Sequence, residues 1–231
     1  MDIIEIDNFL DFHKAIVKYT GSNFLFRGQS NSDWDLIPKV GRPDFRKNIP
    51  IVFKEDYILE AWKRYASHQL TKQPIDEWDW ISLAQHHGLV TRLLDWTKNP
   101  LIALFFATFD FNEKVDSSVF ILDFDNYVIN TKKITPFEIE SSGVFYPKGL
   151  SARVISQRGV FTISHKPEIT LEKLMKKEKF IKLKIKGASK KELQIILEQY
   201  GINEFSIYQD LDNLSNYLNR FILKRELDKI I

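Results

Sequence analysis

The spacing of apolar positions changes period several times along the chain, and each change marks an element. A first helix carries Phe9, Ile16 and Val17 among its apolar positions, with Asp7 as its N-cap and a stop near Gly21. Asn23 to Arg27 reads as a short strand, because Phe24-Leu25-Phe26 is a continuous apolar run that ends in Arg27-Gly28. From Gln29 to Pro50 the signals are Asn-Ser-Asp, Pro38, Gly41, Pro43 and Pro50, which together mean a long ordered loop. Loops of that length inside a compact domain are often functional.

Ile51 to Thr71 predicts a helix, and Glu77 to His87 a second one closed by Gly88. Thr91 to Trp96 is extended. Asn99-Pro100 then opens a helix whose body, Leu101 to Thr108, is almost wholly apolar and must therefore be central. Strands are expected at Ser118–Asp123, Gly159–Ser164 and Phe180–Lys186, the last alternating large apolar residues with lysine. Ser189 with Glu192 has the spacing of a capping box, and Asp210 caps a last helix to about Asp228. Residues 126–151 carry no clear period. Helices and strands interleave without a βαβ rhythm, which predicts an α+β single domain: a mixed, mostly antiparallel central sheet with helices packed around it.

Composition narrows the chemistry. The 231 residues contain no cysteine, which excludes disulfides, thiol nucleophiles and zinc–cysteine sites. Residues 1–7 are acidic and lack a sustained apolar run, and the longest apolar stretch, Pro100 to Phe109, is about half a membrane span. The expectation is a soluble cytoplasmic protein with no membrane contact. Net charge is only +2, yet residues 161–200 hold ten lysines against five acids. That Lys-rich quarter is either a solvated face or a contact for nucleic acid or a protein acceptor.

Two stretches carry candidate chemistry. In Phe26-Arg27-Gly28-Gln29-Ser30 an arginine ends an apolar strand beside a glycine. Its fork of donors suits phosphate or carboxylate, and Gly28 lets a ligand approach the backbone; the alternative is an edge strand whose arginine reaches solvent. In Ala84-Gln85-His86-His87-Gly88-Leu89-Val90-Thr91-Arg92-Leu93-Leu94-Asp95-Trp96-Thr97, polar groups are set against the most hydrophobic segment of the chain. Strand alternation places Thr91, Leu93 and Asp95 on one face and Arg92, Leu94 and Trp96 on the other. An Asp95 near the core needs a partner, and Arg27 and Arg92 are the available ones. His87 beside the Gly88 turn is a possible general base. Adjacent histidines diverge on a helix, so no metal site is expected. No Gly-x-Ser-x-Gly elbow and no phosphate-binding glycine loop occurs.

These residues resemble the FRG domain family, named for a motif of the Phe26-Arg27-Gly28 type. The resemblance extends through Trp34, Leu36 and Pro38, His86-His87-Gly88, Thr91 to Thr97, Pro100, Gln157-x-Gly159-x-Phe161 and Asp210-Leu211-Asp212, from about residue 20 to 218. It divides the chain into an N-terminal helix, 1–20, and an FRG domain, 21–231. Phe26-Arg27-Gly28 also resembles, distantly, an element of ADP-ribosyltransferases of the Arg–Ser–Glu type. That likeness implies NAD as substrate and no metal. Arg27, Asp95 and Gln157 are then the catalytic candidates, with Arg27, Gly28, Gln29, Thr91, Arg92 and His87 binding the nucleotide. Gln157 stands where the pattern has a glutamate, and Asp95 is the carboxylate that could replace it. The resemblance implies ADP-ribosyl transfer or NAD cleavage by a toxin or anti-phage defence effector, with a possible regulatory partner protein. The alternatives are a non-catalytic nucleotide- or nucleic-acid-binding module and a metal-free nuclease or hydrolase using His87 and Asp95.

Overall fold

The computed structural model describes residues 1–48, 54–110, 112–148, 158–176 and 179–224, with side chains in the last helix up to residue 219. Its seven strands form one mixed sheet in the order β1-β7-β4-β2-β3-β6-β5. They are β1 Asp2–Ile6, β2 Phe24–Gln29, β3 Leu93–Thr97, β4 Ser117–Asp123, β5 Gly143–Phe145, β6 Gly159–Ile163 and β7 Phe180–Ile185. Only β1 and β7 pair parallel; the other strand pairs are antiparallel. The helices are α1 Phe9–Ile16, α2 Pro43–Arg46, α3 Glu55–Ala66, α4 Glu77–His86, α5 Pro100–Thr108, α6 Leu171–Leu174, α7 Lys190–Gln199, α8 Glu204–Tyr208 and α9 Leu211–Lys224. The chain is thus one α+β domain of the expected class.

Alternation along the strands builds a core on each side of the sheet. Phe26, Val119, Ile121, Leu183 and Ile185 face α1, α5, α7 and α8, where Phe12, Leu104, Leu193 and Ile207 complete the layer. Leu25, Leu94, Trp96, Phe120, Leu122 and Val160 face the other way, onto Leu36, Leu171 and Met175. At the β3–β6–β5 end, Leu93, Phe161 and Ile163 pack under Leu59 of α3 and Trp78 and Ile81 of α4.

Helix α5 is apolar on nearly every side, as its sequence requires of a central helix. Asn99 caps it by accepting the N–H of Leu101 at 2.9 Å. It lies directly on β2, so close that a Cβ on Gly28 would stand 1.9 Å from the carbonyl oxygen of Ala103. Gly28 is therefore required first by helix–strand contact.

The chain departs from its sequence pattern at three termini. Residues 2–6 form a strand ahead of the first helix, and that helix is capped by Asn8, whose side chain accepts from Asp11 N–H at 3.0 Å. Asp7 instead pairs with Lys186 at 2.9 Å. Ser189 does not cap α7: its hydroxyl donates to the Asp7 carbonyl at 2.6 Å. A capping box does form at α8, where Asn203 accepts from Ser206 N–H and Ser206 Oγ accepts from Asn203 N–H, both at 3.0 Å. Asn203→Ala is expected to lower stability by about 1 kcal/mol, read as a shift in the urea midpoint at constant slope.

Candidate functional site

The site begins where two neighbouring strands part. β2 and β3 share a single register pair, Phe26 with Thr97. Beyond it they fork, and the carbonyl of Asp95, which a continuous ladder would pair with β2, turns to a side chain instead. Arg27 Nη1 donates to that carbonyl at 2.7 Å and lies 3.8 Å from Oδ2 of the same residue. An arginine thus closes the fork between the strands.

Above the fork is a cavity of about 290 Å³, lined on its polar side by Arg27, Gln85, His86, Asp95 and Thr97. Phe106 of α5 and Val160 and Phe161 of β6 contribute apolar wall. The last turn of α4 delivers Gln85 and His86 because the helix stops sharply there. Gly88 takes φ +89°, donates to Gln85 O at 3.0 Å, and lets Leu89 N–H reach Ala84 O at 2.9 Å.

The two charges at the centre differ in environment. The Arg27 side chain is 14% exposed, and its Nε is buried with no partner among the described residues. Burial, the largest influence, lowers its pKa; the Asp95 carboxylate raises it and Arg42 lowers it further. Arginine starts high enough to stay cationic. Asp95 is 57% exposed, contrary to the depth its strand face implied. Gln85 Nε2 donates to its Oδ2 at 3.0 Å. The carboxylate is thus anchored at one oxygen and open to the cavity.

Of the residues singled out in the sequence, Arg27, Gly28 and Asp95 meet here. Gln29 lies off the cavity: it is buried, its Nε2 donating weakly to Asp35 O at 3.5 Å. Thr91 is buried behind the site and donates to Gln85 Oε1. Arg92 does not pair with Asp95; its Nε and Nη2 make a two-bond contact with Glu55 at 3.0 and 2.8 Å, over the ring of Phe137. His87 lines a second pocket of about 320 Å³ with Trp62, Tyr65 and Leu70, so the histidine on the cavity is His86. Gln157 lies outside the described residues. Sequence reasoning missed Gln85 as a site residue. Its signal was an amide in the last helical turn, directly after the buried run Ile81 to Ala84.

Part of the charge on the Lys-rich quarter is answered within the fold. Lys179 pairs with Asp123 at 2.8 Å and Lys184 with Asp116 at 3.1 Å, while Lys182 donates to Ser32 O. Lys190 is buried, donating to Ser30 O at 2.9 Å, and burial lowers its pKa. No group of three or more metal-ligating side chains occurs among the described residues, and none of their helices is long and apolar enough to cross a membrane.

Residues 22–116 match the family model of the FRG domain. The FRG match runs from β2 through β3 and α5 to the start of β4, and it contains every polar residue that lines the cavity. The β6 wall lies beyond it, as do Gln157 and the Asp210-Leu211-Asp212 stretch of the sequence resemblance. Comparison with curated proteins and with solved structures finds no match to the chain.

Proposed function

We propose that the FRG cavity takes the nicotinamide–ribose half of NAD and breaks the bond between them. The C1′–N bond parts with its electron pair going to nicotinamide, which leaves neutral. Water or another acceptor then adds to the sugar carbon and releases its proton to solvent. What supports this reading is the Asp95 carboxylate, open to a cavity of about 290 Å³ with aromatic wall. That volume is at the lower limit for ligand pockets and suits one ring and one sugar. A fixed negative charge there favours the oxocarbenium-like charge that develops as nicotinamide departs. Arg27 holds the main chain of Asp95 and partly offsets its charge, and Gln157 is kept as the acceptor-side candidate.

Nicotinamide release from NAD by the purified chain tests the reading. Asp95→Asn is expected to lower kcat by about a hundredfold or more, with the folded fraction matched by far-UV spectroscopy. Release at wild-type rate from that variant would remove Asp95 from the chemistry. Expression of an active enzyme of this kind would drain cellular NAD, the behaviour of a toxin or defence effector.

A second reading is a nucleotide-binding module without turnover, favoured by the contact of Arg27 with Asp95, which offsets part of the negative charge that cleavage would draw on. Binding of NAD with no release of nicotinamide would select it. A hydrolase acting through His87 and Asp95 has less support, since His87 faces the second pocket.

A further inference from the structure

The hydrogen bonds behind Asp95 run in one direction only. A carboxylate can accept but not donate, so the group that Gln85 presents to Asp95 Oδ2, 3.0 Å away, is its NH₂. Its carbonyl Oε1 must then face Thr91, 2.5 Å away, and only the Thr91 hydroxyl hydrogen can satisfy it. That hydroxyl in turn accepts the main-chain N–H of Leu93 at 3.1 Å, so the one hydrogen it owns is directed at Gln85. The chain is Leu93 N–H to Thr91, Thr91 to Gln85, Gln85 to Asp95. Reversing the amide would set two acceptors against each other at Asp95.

We propose that Thr91 and Gln85 are positioning residues that act as a relay, fixing the rotamer of Asp95 by its Oδ2. Among the described residues Oδ1 accepts no hydrogen bond, and Asp95 is the most open of the polar groups involved. The relay therefore presents Oδ1 to the cavity as a fixed acceptor. The ligand class it selects at this corner carries a hydroxyl or amide N–H, and an anionic group is turned away. Thr91 itself is 3% exposed and does not line the cavity, so it acts only through Gln85. The kinetic part of this inference rests on the NAD reading above; the hydrogen-bond part does not.

The test uses the full chain with Thr91→Val, Thr91→Ser and Gln85→Leu. The first readout is the side-chain amide signal of Gln85 in a ¹⁵N–¹H spectrum. The second is kcat and KM for nicotinamide release. Thr91→Val is expected to displace the Gln85 signals and to lower kcat about tenfold or more at nearly constant KM, since small misplacements of a reacting group carry such penalties. Gln85→Leu, which leaves the Thr91–Leu93 bond in place, is expected to show the same kinetic loss. Thr91→Ser keeps the hydroxyl and is expected to restore both readouts. Gln85 signals unmoved in Thr91→Val, or a serine variant as impaired as the valine one, would overturn the relay. If the wild type releases no nicotinamide, the NAD reading fails, and the amide signals still decide the relay.

Discussion

Gly28→Ala is expected to destabilise the domain by about 3 kcal/mol, at the upper end of what overpacking usually costs. The added methyl would lie 1.9 Å from Ala103 O and 2.6 Å from Ala107 N, both backbone atoms of α5. A side chain in the way could rotate; a helix backbone can yield only by sliding off the sheet. Because α5 carries Leu104 and Phe105 into the main core, sliding would loosen that whole layer. Urea unfolding checks this directly, with a lower midpoint expected for the variant. The result also separates two roles for the glycine. A Gly28 needed only for ligand approach would leave the midpoint where it is and weaken binding alone.

A comparable loss is expected for Arg92→Ala. The Arg92 and Glu55 side chains are 15% and 12% exposed and joined by two hydrogen bonds. Removing one partner strands the other charge in a nearly dry setting, which typically costs about 3–5 kcal/mol. Replacing both, as Arg92→Met with Glu55→Leu, is expected to recover most of that stability. The double variant should still bind or turn over its ligand, because neither residue lines the cavity. Loss of binding in a stable double variant would return Arg92 to the site that its family resemblance implied.

Much of the architecture was legible where an element is long or sharply bounded. The apolar run of α5 with Asn99-Pro100 before it, the Gly88 stop of α4 and the lysine alternation of β7 each admit one reading. Short elements did not. β1 has five residues and β5 three, too few for a period to stand out, and their assignment depends on distant partners, Ile181–Ile185 and Phe161–Ile163. Ser189 shows a different limit: its spacing from Glu192 fits a capping box, but a tertiary acceptor, Asp7 O, took its hydroxyl.

The site was half legible for the same reason. Residue chemistry marked Arg27 and Asp95, whose meeting depends on β2 and β3 being neighbours, a fact of sheet order. Alternation told which face Asp95 shares with Leu93 but not that the strands part beside it, and so it misjudged depth. Arg92 looked like an equal partner for Asp95 until the N-terminus of α3 supplied Glu55. Lys184 of β7 and Lys179 just before it counted as excess charge in the linear sequence because their partners, Asp116 and Asp123, lie far from them along it.

The position of β7 between β1 and β4 has a consequence for synthesis. β1 emerges from the ribosome long before the strand it pairs with, since Asp2 aligns with Ile181. At common translation speeds that interval is on the order of 10–35 s. Every described element that walls the cavity, from β2 to β6, precedes β7. The nascent chain can thus build the cavity wall first and knit β1 into the sheet only after β7 has emerged.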